Sequence, residues 1–138
     1  MKKNKFSFLK IGKKDFFKIK IKKDLVEKFI KLSGDRNEIH INKKFATKYG
    51  FKNKIVHGML LASLYSRFIG MHLPGKYSLL IKSDIKFIKP VFINDVITIN
   101  GKIIEKNKAY KVVTVKINAK NQFNTIVSSA KITVKVNE

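Results

Sequence analysis

The stretch Gly58-Met59-Leu60-Leu61-Ala62-Ser63-Leu64-Tyr65-Ser66-Arg67-Phe68-Ile69 carries a single charge, and its small residues are spread around the helical wheel. A helix that is apolar on nearly every side belongs in an interior. Gly70 and then Pro74-Gly75 are expected to end it. Beyond that point the hydrophobic period changes to two. Ile81, Ser83, Ile85 and Phe87 oppose Lys82, Asp84 and Lys86, and Ile97, Ile99, Gly101 and Ile103 form the next set. Val113, Val115, Ile117 and Ala119 follow, and the last set is Ile126, Ser128, Ala130, Ile132, Val134 and Val136. Turn signals at Asn94-Asp95, Lys106-Asn107 and Asn121 separate them.

Ahead of the buried helix lies one more strand, expected over Phe16–Ile21, where Phe17, Ile19 and Ile21 alternate with Phe16, Lys18 and Lys20. Asp24 then reads as an N-cap with Glu27 three residues on, a variant of the capping box. Leu25, Val26, Phe29, Ile30 and Leu32 recur at helical spacing as far as Gly34, and a second short helix is expected from Lys43 to Tyr49, closed by Gly50. Period-two strands with one apolar face make an antiparallel sheet, and the long apolar helix is the element available to cover that face. The expectation is an α+β fold, residues 1–138 as a single domain, with a five-stranded antiparallel sheet wrapped around a long central helix.

Composition excludes several classes. With no cysteine among 138 residues, disulfide scaffolds, thiolate zinc sites and cysteine nucleophiles are all absent. No apolar run approaches the roughly 18 residues that span a bilayer. The opening Met1-Lys2-Lys3-Asn4-Lys5-Phe6 lacks the apolar core of a secretory leader, so a cytoplasmic location is expected. The net charge of +22 suggests a nucleic-acid binder, but of the 31 basic residues only Arg36 and Arg67 are arginine. Base readout favours the flat, bidentate guanidinium. Lysines scattered along the chain, with abundant Asn and Ile, fit a bias toward A/T-rich codons instead. No specific nucleic-acid partner is expected, only a salt-dependent attraction for phosphates.

Three histidines are present, His40, His57 and His72. Ser33-Gly34-Asp35-Arg36-Asn37-Glu38-Ile39-His40 puts a carboxylate and an imidazole on one short loop, where both can reach a single water. On spacing alone, Asp35 capping a helix with His40 an ordinary loop histidine is the better reading. His57-Gly58 opens the buried helix, whose terminus presents free N–H groups and the positive end of a dipole. A thioester carbonyl placed there would have its developing enolate stabilised, although Gly58 could equally serve close packing. Ser63 and Ser66 lie one turn apart on that helix. His72, in the exit loop, reads as solvent-facing, and Asp84 as a surface residue.

Taken together, Ser33-Gly34-Asp35-x-Asn37-x-x-His40, His57-Gly58-Met59-Leu60, Leu73-Pro74-Gly75 and Phe87-x-x-Pro90-Val91 resemble the MaoC-like (R)-specific enoyl-CoA hydratases, which have the hotdog fold. The resemblance runs from about Phe29 to Ile99 with compatible spacing. It implies that Asp35 and His40 are the catalytic pair that activates water for addition to a trans-2-enoyl thioester, giving a (3R)-3-hydroxyacyl product. It further implies that the Gly58 amide is the oxyanion hole, that Asn37 supports the loop, and that Ser66 and His57 are candidates for contact with substrate or water. Glu38 stands where the family usually has proline, which removes rigidity from the loop.

The same resemblance implies a homodimer or higher oligomer built by pairing edge strands. No cofactor is expected beyond the coenzyme A carried by the substrate, and no metal. The substrate is an acyl-CoA or an acyl carrier protein ester, with no membrane partner. The alternatives are a 3-hydroxyacyl-[acyl-carrier-protein] dehydratase, a hotdog acyl-CoA thioesterase, and a noncatalytic acyl-thioester-binding module.

Overall fold

The computed structural model describes residues 1–138. In chain order the elements are β1 (Lys14–Lys20), α1 (Lys23–Ser33), α2 (Glu38–Ile41), α3 (Lys43–Lys48), α4 (Gly58–Met71), β2 (Ser78–Phe87), β3 (Val96–Asn107), β4 (Val112–Lys120) and β5 (Ile126–Val136). The strands form one antiparallel sheet in the order β1-β3-β4-β5-β2. This is the expected α+β arrangement, with α4 packed on the concave face.

Packing follows from the two periodicities. Leu60, Leu61, Leu64, Tyr65 and Phe68 of α4 are buried against the inward-facing residues of β3, β4 and β5, among them Ile99, Val115 and Val134. Gly101 has a specific reason to be glycine: a β-carbon there would run into the Phe68 ring, so its absence lets α4 lie down on β3. Phe6 and Leu9, in and after a 3-10 turn at Phe6–Phe8, join the same cluster although no strand or helix periodicity marks that stretch.

Several expectations need correction. Asp24 does not cap α1: the N-cap is Lys22, with no side-chain bond, and Asp24 sits inside the first turn facing Lys28 at 3.5 Å. The cause lies one residue earlier. Ile21 is tied through both backbone groups to Asn94 and Asp95, so the chain enters the helix before Asp24 can cap it. Gly70 does not stop α4, which continues to Met71. His72 is not solvent-facing. Its ring stacks between Phe17 (4.9 Å) and Phe68 (5.8 Å), with Nδ1 3.4 Å from the Asp15 carboxylate.

The largest departure concerns β2. Its alternation suggested one packed face, yet Ile85 is the only residue of the Ile81–Phe87 apolar set that is even partly buried and packed against the core. β2 is an edge strand, and although α4 runs alongside it, Leu79, Ile81, Phe87 and the following Ile88 lie exposed in the single chain.

The register also changes the meaning of the charge. Lysines scattered in sequence are collected in space, since Lys14 pairs with Lys102, Lys102 with Lys116, and Lys116 with Lys131, in one row across the convex face. None of the four makes an ion pair, and only Asp84, opposite Lys131, ends the row with the other sign. Like charges directly opposite across strands are destabilising.

Candidate active site

The site is assembled where the chain leaves α1 and re-enters at α4. Gly34 ends α1 in the left-handed conformation (φ 73°), which turns the backbone out of the helix. The Asp35 amide donates to Ser33 Oγ (3.2 Å), and Asp35 Oδ1 accepts from the Asn37 amide (3.1 Å). Asn37 then caps α2, its Oδ1 accepting from the Ile39 amide (3.2 Å) while its carbonyl accepts from the His40 amide (2.9 Å). Short side-chain bonds thus wind five residues into one turn and bring Asp35 and His40 to the same side. Glu38 is the first residue of α2 and its amide meets no acceptor.

The opposite wall is the extended stretch before α4. The Ile55 amide donates to the Ile39 carbonyl (3.2 Å) and the Val56 amide to the Val91 carbonyl (2.7 Å), which clamps this stretch between α2 and the Pro90–Phe92 segment. His40 Nδ1 lies 2.8 Å from the Ile55 carbonyl. A carbonyl only accepts, so Nδ1 carries the proton and Nε2 keeps its lone pair for chemistry. No pattern in the sequence marked Ile55, because a backbone carbonyl is a role any residue can fill.

His57 is 2% exposed and directs Nε2 at the Asp35 carbonyl oxygen (3.0 Å). Its ring stacks on His40 at 3.7 Å between centroids. Burial pushes its pKa below the ordinary histidine value, with the neighbouring His40 adding to the effect and Asp35 opposing it. Gly58, next in the chain, is the first residue of α4, and its amide has no protein acceptor. A β-carbon on Gly58 would stand 3.1 Å from the Phe87 ring.

These groups surround a cavity of about 310 Å³ lined by His40, Val56, His57, Gly58, Leu61 and Phe87, among others. It is an apolar slot with a free amide and an imidazole at its mouth. Asp35, exposed, stands at the rim. Ser66 is elsewhere: it lines a separate groove between α4 and β2 with Met59, Ser63, Tyr65 and Ser83. A larger concavity on the convex face of the sheet is lined by Lys14, Lys102, Lys116 and Lys120 together with Asp15, whose carboxylate is engaged by Lys2 at 2.7 Å.

Asp35, His40 and His57 offer atoms within 4.8 Å of one another, which raises the question of a metal. The two rings lie nearly face to face, 24° apart, so their lone pairs run side by side rather than toward one point. Two of the four ring nitrogens already face carbonyls. That is a poor cage for a tetrahedral ion and a good arrangement for proton transfer.

An open apolar slot at the N-terminus of a helix, wrapped by an antiparallel sheet, with a carboxylate and an imidazole at its mouth, defines an α+β domain of the hotdog class. The sequence matches the MaoC-like domain family over residues 10–124, and the chain belongs to that family. It is 45% identical over 73 residues to an (R)-specific enoyl-CoA hydratase of Aeromonas caviae, covering 53% of this chain and 54% of that protein. It is 36% identical over 70 residues to a mitochondrial 3-hydroxyacyl-[acyl-carrier-protein] dehydratase of Arabidopsis thaliana, covering 51% of this chain and 41% of that one. The matched stretch spans about half the length of these curated relatives. Among solved structures, an (R)-hydratase of A. caviae involved in PHA biosynthesis superimposes with a TM-score of 0.88 at 31% identity, covering 94% of this chain and 98% of that one. No helix here is long and apolar enough to cross a membrane.

Proposed function

We propose that this chain adds water reversibly to trans-2-enoyl thioesters, first of all coenzyme A esters, to give (3R)-3-hydroxyacyl thioesters. The observation that carries the proposal is that His40 and the free Gly58 amide line one apolar slot while the Asp35 carboxylate lies within 4.8 Å of the His40 ring. In the forward direction the pair holds a water and takes one of its protons as the oxygen bonds to C3. The electron pair of the double bond moves onto the thioester, the Gly58 amide holds the oxygen where charge collects, and C2 receives a proton from the pair. Acid–base help of this kind supplies about 10²–10⁴-fold and one preorganised donor about 10²–10³-fold. His57 and Ser66 remain candidates for substrate or water contact under this reading, Ser66 from the groove beside β2.

The surface around the slot suits an anionic thioester. Lys89 is among its lining residues, and the +22 charge draws phosphates toward the molecule. An acyl carrier protein ester is the second reading, supported by the name of the plant relative. We assign the unpaired β2 edge, with Leu79, Ile81, Phe87 and Ile88 exposed beside it, to a second copy of the chain. Antiparallel pairing about Ser83 would set Lys82 opposite Asp84 of the other copy, and the molecular mass in solution tests this. For the activity, the purified chain is given crotonyl-CoA and the loss of the enoyl thioester chromophore is followed, with chiral analysis of the product. Formation of the (3R) alcohol supports the proposal. Release of free coenzyme A instead makes the chain a thioesterase, and no turnover of CoA or carrier esters leaves a binding module.

A further inference from the structure

His57 is the one buried titratable group at the site whose position no step of the reaction uses. It occupies the N-cap position of α4 but makes no side-chain cap bond there. Its ring is held instead between Phe29 of α1 (5.0 Å, 56°) and His40 of α2 (3.7 Å, 24°). Nε2 faces the Asp35 carbonyl oxygen at 3.0 Å, and Nδ1 is buried with no partner. One side chain therefore touches both residues of the reacting pair, Asp35 through its backbone and His40 through its ring face.

We propose that His57 is a positioning residue: its Nε2–H fixes the Asp35 backbone, its ring face fixes the plane of His40, and both reacting groups are thereby aimed at one point of the slot. This rests on the reading of Asp35 and His40 as the catalytic pair. The tautomer follows from the partner. A carbonyl oxygen accepts and never donates, so Nε2 holds the hydrogen and Nδ1 is bare in the neutral ring. A second proton would have to sit on Nδ1, which is buried without an acceptor, lies beside the positive end of α4, and belongs to a ring stacked on another imidazole. The charged or titratable groups facing the ring are Asp35 from the loop and His40 from α2, while α1 contributes only Phe29. Burial lowers the pKa of His57 against the opposing pull of Asp35, which agrees with the geometry.

A ring that stays neutral relays no proton, so His57 acts through orientation. Orientation is costly to lose: a misplacement of roughly 1 Å takes about 10²-fold from the rate.

Two variants divide the roles. His57→Gln keeps a donor near Nε2 and loses the ring; His57→Phe keeps the ring and loses the donor. Each is expected to lower kcat on crotonyl-CoA by about 10²-fold with KM nearly unchanged, because the side chain meets the pair rather than the substrate. In the unmutated protein, the ¹⁵N-resolved imidazole signals of His57 are expected to keep the neutral Nε2–H pattern as the pH falls through the ordinary histidine value of about 6.5. A rise in KM at constant kcat would make His57 a substrate contact and overturn the proposal, as would wild-type kcat in both variants. The spectrum needs no turnover and no variant, so titration of His57 near pH 6.5 overturns it even where a variant fails to fold. Loss of activity in Asp35→Asn and His40→Ala with unimpaired His57 variants would refute this inference alone. Retained activity in the former two would refute the catalytic reading itself.

Discussion

Asparagine at position 35 separates the charge of the carboxylate from its structural duty. In the fold, Asp35 Oδ1 accepts from the Asn37 amide at 3.1 Å, and the Asp35 carbonyl accepts from His57. Asp35→Asn keeps an amide oxygen where Oδ1 stands and leaves the backbone bond untouched. The site is exposed, and a surface substitution that breaks no such feature shifts stability by no more than about 0.5 kcal/mol. Thermal unfolding of the variant should therefore overlay that of the parent. The chemical loss is far larger. A carboxylate that takes a proton from water contributes about 10²–10⁴-fold, equivalent to roughly 3–5 kcal/mol of barrier. Hydration of crotonyl-CoA, followed by the enoyl chromophore, should fall by that factor. Asp35→Ala loses the turn bond as well, and should add a small drop in melting temperature to the same loss of rate. Activity within about tenfold of the parent in a folded Asp35→Asn protein would refute Asp35 as an acid–base group.

Glu38→Pro should raise stability by about 0.4–1 kcal/mol with activity retained. Residue 38 opens α2, its amide is unpaired, and Asn37 already has the extended conformation (φ −54°, ψ 132°) that a following proline requires; a lower melting temperature would contradict this. Lys116→Gln, at the centre of the lysine row, should stabilise the chain by about 0.2–1 kcal/mol at low salt. That gain should vanish in molar salt, where screening reaches only about 3 Å, and a gain independent of salt would place its cause elsewhere. Stability should also fall on acidification below about pH 6.5. There the unfolded chain protonates His57 while the folded chain, whose His57 pKa lies lower, does not, so acid favours unfolding. The fall should be smaller in His57→Gln, and equal slopes in the two proteins would show that His57 does not carry it.

The parts of this molecule legible in its sequence are those where one periodicity governs burial. The apolar run could be recognised as the central helix, and α4 is that helix, but only half of it is buried: Met59, Ser63, Ser66 and Arg67 form an exposed side in the single chain. The alternation in β3, β4 and most of β5 matched their burial because each lies between two other strands and under the helix, while at the start of β5 Ile126 is exposed and Val127 is buried instead. The same alternation misled at β2, since a period of two says which side chains share a face and nothing about whether that face is covered. Asp24 and Gly70 failed for a related reason: caps and breakers are local preferences worth about 1 kcal/mol, and tertiary ties at Ile21 and the packing around Phe68 outweigh them.

At the site, the order of side chains from Asp35 to His40 was readable because the Asx-type bonds that wind the loop are local. The bond of His40 to the Ile55 carbonyl, the stack of His40 on His57 and the approach of Phe87 to Gly58 join residues 15, 17 and 29 apart, and no spacing rule reaches across them. His72 shows the converse. Its loop position suggested water, whereas β1 supplies Asp15 and Phe17 and α4 supplies Phe68 around it.

Under the proposed function, one enoyl thioester lies with its carbonyl oxygen on the Gly58 amide and its C3 before Asp35 and His40. A crystal structure of the Asp35→Asn variant with crotonyl-CoA bound tests it without turnover. The thioester oxygen is expected at about 3 Å from the Gly58 nitrogen, with C3 facing residue 35 and His40 Nε2. A thioester bound with its oxygen turned from that amide, or an acyl chain seated outside the slot, would contradict it.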